Sequence, residues 1–66
     1  MDDESNIALR KFLKQVGVTS QQAIEEALRA AGDHAAGQEF VATMTLTIKG
    51  LDLEHQVTGT VKGPAK

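Results

Sequence analysis

The spacing of apolar residues changes once along this chain, between Gly32 and Glu39. Before that point apolar residues recur with a period of about 3.6 residues, which is typical of amphipathic helices. After it they alternate with polar residues, which is typical of strands that have one buried face. A chain with this single switch is expected to form helices first and strands afterwards. The sequence therefore predicts the α+β class.

Two helical segments are predicted, at about residues 5–16 and 20–31. Each segment has apolar residues at positions i, i+3, i+4 and i+7, which form one stripe along a helix. These residues are Leu9, Phe12, Leu13 and Val16 in the first segment, and Ile24, Ala27, Leu28 and Ala31 in the second.

Helix-ending and helix-starting residues set these boundaries. Gly17 and Gly32 each follow an apolar stripe, and glycine accepts the left-handed conformation in which many helices end. Thr19 and Gln22 have the spacing of a capping box, which predicts a new helix start directly after Gly17. Asp3 or Ser5 is expected to cap the first helix.

The second half of the chain predicts an antiparallel β-hairpin, with strands at about residues 39–49 and 53–62. A two-residue loop at Gly50-Leu51, or a four-residue loop at 50–53, brings the apolar positions of both strands onto one face. A three-residue loop would oppose apolar and polar residues throughout, because side chains alternate between faces. The expected pairs are Ile48–Leu53, Leu46–His55, Met44–Val57, Ala42–Gly59 and Phe40–Val61.

The predicted architecture is ααββ, with the apolar face of the hairpin buried on the helix stripes. Residues 1–66 are expected to be one small domain, with residues 1–4 and 63–66 frayed. A chain of 66 residues buries only about 60% of its unfolded surface, so such a fold is marginal. The sequence has no cysteine, and disulfides or thiolate metal sites therefore cannot stabilise it. Because a two-stranded sheet also leaves both edges open, we expect a homodimer.

Charge and hydropathy restrict the location and the partners of the protein. The formal net charge is −2, which argues mildly against a dedicated nucleic-acid binder. No apolar run approaches the roughly 18 residues of a membrane span. The acidic start, from Asp2 to Glu4, is unlike the basic start of a signal peptide. We therefore expect a soluble cytoplasmic protein without a membrane partner.

No catalytic residues, cofactor or metal site are predicted, and no small-molecule substrate is expected. His34 and His55 lack the spacing of metal ligands, and we interpret them as a solvated loop residue and a half-buried strand residue. Ser5 and Ser20 stand at helix starts, where serine serves as a cap more often than as a nucleophile. The sequence accordingly predicts that the protein is not an enzyme.

Arg10, Lys11 and Lys14 form a basic cluster on the outer side of the first predicted helix. Such a cluster is most often a solvated face, but it could also contact an acidic protein partner. A third alternative is nucleic-acid binding by a reduced winged helix, with the hairpin as the wing. The threonines of the polar sheet face are in turn typical of a solvated strand surface, or could form a docking surface.

The motif LRKFLKQVGVTSQQAIE at residues 9–25 resembles a family of short bacterial proteins described only as a domain of unknown function. The resemblance implies a bacterial origin, a stand-alone protein and no assigned activity, and it carries no site residues across. It continues downstream in Met44-Thr45-Leu46, in Gly50-Leu51 and in the pattern His55-x-Val57-x-Gly59.

These observations predict a small non-enzymatic protein-interaction module that is homodimeric. Its candidate interaction surface is Arg10, Lys11 and Lys14. The alternative is a small nucleic-acid-binding protein related to winged helices.

Overall fold

The computed structural model describes residues 2–65. A long helix, α1 (Asp3–Ala31), is followed by a short 3-10 helix (Gly32–His34) and by two strands, β1 (Glu39–Thr47) and β2 (Glu54–Lys62). The predicted α+β class is confirmed. The chain divides between Ala30 and Ala31 into two compact units, the helix and the hairpin with its preceding loop.

The prediction of two helices is wrong, because α1 continues through Gly17 without interruption. Gly17 lacks the positive φ angle that is typical of a helix end. The glycines with a positive φ angle are Gly32, Gly37 and Gly50. A glycine inside a helix costs only about 1 kcal/mol relative to alanine. Better helix formers lie one turn away on each side, at residues 13–15 and 21–23, and they offset that cost, so the helix does not need to stop there.

The predicted capping box at Thr19 is also wrong. The Thr19 hydroxyl donates a hydrogen bond to the Gln15 carbonyl oxygen at 2.8 Å. This bond to the preceding turn is the usual way in which a threonine satisfies its hydroxyl within a helix. The same side chain that can start a helix is therefore accommodated inside one here.

The ends of α1 are set by Asp2 and Gly32. The Ser5 N–H donates to Asp2 Oδ1 at 2.8 Å, and the Asn6 N–H donates to the Asp2 carbonyl oxygen at 3.0 Å. The cap is therefore Asp2, rather than Asp3 or Ser5 as predicted. The bond from the Ser5 backbone also lowers the pKa of the Asp2 carboxyl below its ordinary value. At the other end, the predicted stop at Gly32 is confirmed, with φ at 59°.

The hairpin has the predicted register. The structure pairs Phe40 with Val61, Ala42 with Gly59, Met44 with Val57 and Leu46 with His55. The apolar positions consequently share one face of the sheet.

The connection between the strands differs from the prediction of two or four residues, because the ladder ends at Thr47 and Glu54. Residues 48–53 form the connection, and the Leu51 N–H donates to the Ile48 carbonyl oxygen at 3.1 Å. Gly50 has φ at 92° and is the third residue of this turn, a position where a type II turn favours glycine. The faces are preserved because the connection still has an even number of residues.

The loop before β1 and the segment after β2 form a backbone clasp. The Gly63 N–H donates to the Gln38 carbonyl oxygen at 2.8 Å, and the Gly37 N–H donates to the Pro64 carbonyl oxygen at 3.0 Å. These bonds extend the hairpin register, so Gly63 and Pro64, which we expected to be frayed, are hydrogen-bonded. A Cβ atom at Gly63 would collide with the Ala35 carbonyl group. Only glycine fits there.

Of the other terminal residues that we predicted to fray, some are described and some are not. Asp3 and Glu4, also predicted to fray, belong to the first turn of α1. Met1 and Lys66 lie outside the described residues.

Burial is confined to the clasp. Of residues 2–65, only Ala35 and Gly63 are buried. The larger apolar side chains that we expected in a core are instead exposed or half-buried. Within the described part of the chain, no helix has both the length and the apolar character to cross a membrane.

Candidate interaction surface

The continuity of α1 joins the two predicted stripes into one. Each apolar position of the first stripe has an apolar counterpart fifteen residues later in the second stripe. For example, Ile24 follows Leu9 by fifteen residues. Fifteen residues exceed four full helical turns by roughly 60°, so both stripes lie on the same side of α1. We call this surface the α1 stripe; its residues are Leu9, Phe12, Leu13, Val16, Ser20, Ala23, Ile24, Ala27, Leu28 and Ala31.

The α1 stripe is open to solvent. Phe12 is 47% exposed and Leu13 is 57% exposed, and no described residue of α1 is buried. The opposite side of the helix also has isolated apolar residues, Ile7 and Val18, but they do not form a row. An isolated exposed apolar residue is ordinary, whereas a continuous row of them marks a contact surface.

Side-chain size changes along the α1 stripe. The first half contains the large residues Leu9, Phe12 and Leu13, whereas the second half is rich in alanine, at Ala23 and Ala27. Ser20 lies near the middle and is half-buried. The second half also carries the large residues Ile24 and Leu28, so the stripe is bulkier in its first half only on average.

The predicted basic cluster lies in the first half of α1, and Arg10, Lys11 and Lys14 are all exposed. Helical geometry places Arg10 on one flank of the α1 stripe, whereas Lys11 and Lys14 lie seven and four residues before Val18, on the opposite side. The second half carries Glu25 and Glu26. The two halves of α1 thus differ in charge as well as in side-chain size.

Glu25 is oriented by a neighbour on its own helix. Gln21 Nε2 donates a hydrogen bond to Glu25 Oε2 at 3.3 Å, across one turn. Glu25 lies on the same side of α1 as Ile7 and Val18, opposite the α1 stripe, because it follows Ile7 by five full helical turns.

Sequence reasoning found the apolar residues of the α1 stripe but not the continuity of the surface. The prediction that Ser20 caps a helix start is wrong, because Ser20 lies inside α1. The sequence predicts a helix end at Gly17, and this prediction places the two halves of the surface on separate helices. The signal that could have joined them is the fifteen-residue recurrence, since it keeps both stripes on one side of an uninterrupted helix.

The hairpin presents two different faces. The apolar face remains partly exposed, with Phe40 at 39% and Val57 at 55%. The other face carries the predicted threonines, where Thr43 lies opposite Thr58 and Thr45 Oγ1 accepts a hydrogen bond from Gln56 Nε2 at 3.2 Å. The sheet has two strands.

His34 is exposed, as predicted, but it belongs to the 3-10 helix and not to a loop. His55 lies in β2 opposite Leu46, as predicted, but it is exposed, so the expectation of a half-buried side chain is wrong. Among residues 2–65, no three histidine, aspartate or glutamate side chains are grouped closely enough to hold a metal ion.

The chain belongs to a family of unknown function, DUF6494, whose model matches residues 1–64. This agrees with the resemblance seen in the sequence. No curated protein matches the chain. No solved structure matches it either.

Proposed function

We propose that this chain is a small non-enzymatic protein-interaction module, that it is homodimeric, and that the α1 stripe is its contact surface. The observation that supports this proposal is a helix of 29 residues in which no residue is buried. In proteins, most of the stability of a helix comes from packing its apolar face against other residues. A helix with such a face and no buried side chain needs a partner.

The length of α1 also favours a helical contact. A helix of this length extends about 43 Å, since each residue adds 1.5 Å. The α1 stripe follows most of that length, from Leu9 to Ala31. Two such stripes packed together would exclude water from both, and burial of apolar surface is the main driving force of association.

The basic cluster Arg10, Lys11 and Lys14 is a second part of the proposed surface. Of these residues Arg10 borders the α1 stripe, whereas Lys11 and Lys14 lie on the opposite side of α1. The cluster would orient a partner that carries carboxylates. Exposed charge pairs of this kind contribute little affinity individually, about 0.2–1 kcal/mol each. Their effect is therefore on orientation and specificity more than on the strength of binding.

The winged-helix alternative loses its geometric basis. It required a second helix that starts after Gly17 and enters the major groove at an angle to the first. Because α1 is one helix, residues 20–31 continue the axis of residues 5–16. The remaining support for nucleic-acid binding is the group of three basic side chains, and these would equally suit an acidic protein surface.

The test replaces one residue of the α1 stripe with a charge. Leu13→Glu should shift the protein from dimer to monomer in light scattering on a size-exclusion column, because a carboxylate would be buried in the contact. Val18→Glu is the matched control: Val18 is 50% exposed and lies on the opposite side of the same helix. Equal dimerisation of both variants would contradict the proposed surface.

A further inference from the structure

We propose that the free edge of β1 pairs with the free edge of β1 in a second copy, so that two hairpins form one four-stranded antiparallel sheet around a two-fold axis at Met44. This inference rests on the proposed homodimer and adds a second contact to it, on the hairpin instead of on α1. A two-fold axis repeats every contact in both directions, so a single dimer can contain both contacts.

β1 has one edge without a strand beside it. Among residues 2–65, β1 pairs with β2 alone, so the sheet ends at β1 on its other side. Such an edge presents unpaired N–H and C=O groups, which are a template for a strand from another chain. All nine residues of β1, from Glu39 to Thr47, pair one-to-one with β2 and form no bulge. The free edge is therefore long and regular.

β1 also lacks the features that protect natural edge strands, which are charged side chains, prolines and bulges. Residues 40–48 contain no charged residue, no proline and no glycine. The other edge strand, β2, has His55 and Gly59 in its interior, and glycine weakens a strand. This difference assigns the contact to β1 in preference to β2.

The charges at the two ends of this uncharged stretch have opposite signs. Glu39 precedes it, and Lys49 follows it in the connection between the strands. Each lies five residues from Met44, so an antiparallel pair centred on Met44 brings Glu39 to the level of Lys49 in the second copy. Glu39 already lies opposite Lys62 in its own hairpin, and it would then have a cation on each side.

The same charges oppose a parallel pair of β1 strands. A parallel pair in register would place Glu39 beside the Glu39 of the second copy, and Lys49 beside the second Lys49. Like charges directly opposite each other destabilise a pair of strands, whereas opposite charges stabilise it. Charge therefore favours the closed antiparallel pair over an open parallel stack.

The register centred on Met44 is also compatible with the side chains on both faces. On the apolar face, Ala42 lies opposite Leu46 of the second copy, and Met44 lies opposite its own counterpart. On the other face Thr43 lies opposite Thr45, and such threonine pairs form hydrogen bonds across strands. A lone hairpin is marginally stable in water, whereas a sheet of three or more strands with an apolar face is stable. The contact would supply what the single hairpin lacks.

Disulfide trapping tests this pairing, since the chain has no cysteine of its own. Met44 lies on the proposed axis, so a cysteine at this position faces the same cysteine of the second copy, with about 5 Å between the two Cα atoms. A disulfide requires Cα atoms within about 7 Å. The full-length variant Met44→Cys is first shown to be dimeric by light scattering and is then oxidised.

Val57→Cys is the matched control. Val57 lies opposite Met44 in the same hairpin and on the same face, and it is 55% exposed, compared with 44% for Met44. In the four-stranded sheet the two Val57 positions are separated by three strand spacings, or about 14 Å. Met44→Cys is therefore expected to form the disulfide-linked dimer about tenfold faster than Val57→Cys, or more.

Equal rates in the two variants, or a faster reaction of Val57→Cys, would overturn the edge pairing, because apolar faces that pack on each other bring both positions together. If Met44→Cys itself dissociates the dimer, Thr43→Cys and Thr45→Cys are mixed in its place, with one of the two isotope-labelled. Their mixed disulfide is expected to exceed each self-disulfide, because these positions face each other in the proposed register. A dominant self-disulfide of Thr43→Cys would place the axis at Thr43 and overturn the register.

The variant Leu13→Glu separates this inference from the proposed function. If Leu13→Glu is monomeric while Met44→Cys shows no preference over Val57→Cys, the edge pairing falls and the α1 contact stands. If Met44→Cys reacts preferentially while Leu13→Glu and Val18→Glu dimerise equally, the edge pairing stands and the α1 contact falls. A wild-type protein that is monomeric at all concentrations would overturn both proposals.

Discussion

The helix and the clasp of this protein use the same residue type for opposite purposes. Gly17 lies within α1, where a Cβ atom would have no neighbour within 4 Å. Gly63 lies in the clasp, where a Cβ atom would collide with the Ala35 carbonyl group. The first glycine is tolerated, whereas the second is required. The comparison teaches that the importance of a glycine depends on what surrounds it, and that the surroundings of Gly63 lie far away in the sequence.

The two regions also differ in how their backbone is held. The hydrogen bonds of α1 join residues four positions apart, and no side chain of α1 is buried. The clasp joins Gly37 and Gln38 to Gly63 and Pro64, which are distant in sequence, and it encloses Ala35. The helix therefore leaves its apolar stripe exposed, whereas the clasp closes the end of the hairpin by itself.

Among the variants that test this comparison, Gly63→Ala is expected to change stability the most. The new methyl group would force the clasp apart, at a cost of about 1–3 kcal/mol in the free energy of unfolding of the hairpin. Chemical denaturation monitored at hairpin amides by NMR measures this loss. The control is Gly59→Ala, because a Cβ atom at Gly59 has no neighbour within 4 Å. Equal stability of the two variants would show that the clasp does not form in solution.

Gly17→Ala should instead stabilise the protein. Within a continuous helix, alanine is more favourable than glycine by about 1 kcal/mol. Circular dichroism during thermal unfolding should therefore show greater helix stability. The control is Gly32→Ala, which should destabilise the helix end because Gly32 has φ at 59°. A loss of helix stability in Gly17→Ala would support two helices in place of one.

The smallest effect is expected at the start of α1. The pKa of Asp2 is lowered by the hydrogen bond from the Ser5 backbone, so the folded state holds the ionised carboxylate. Its contribution is complete above the ordinary value of 3.8 and is lost as pH falls through the lower folded pKa. Hydrogen exchange of the Ser5 amide should accelerate at that low pH relative to amides in mid-helix. Asp2→Asn keeps a capping oxygen without this titration and should remove the pH dependence.

Sequence patterns predicted those parts of the fold that depend on periodicity. The register of Met44 with Val57 followed from alternation alone, because a shift by one residue would expose every apolar side chain. The length of the connection did not follow, since any even number of residues preserves the faces. Gly32 was a correct stop because the apolar period ends with it.

The wrong predictions concern residues whose structural role depends on more than the residues next to them in the sequence. Gly17 and Thr19 are compatible with a helix end and also with a helix interior, and local spacing does not decide between these alternatives. The role of Gly63 depends on Ala35, which no pattern in the sequence connects to it. The apolar residues of the α1 stripe could be recognised in the sequence, but as core positions of two helices. Their exposure on one continuous helix required the structure.

The most direct test of the α1 contact is the solution mass of the wild-type chain, measured together with its helicity across a dilution series. One chain has a mass of 7.0 kDa. The proposed contact predicts a dimer of twice that mass, and a loss of helicity that coincides with dissociation because the partner stabilises α1. A monomer that keeps its full helicity at every concentration would contradict the account, because α1 would then need no second copy.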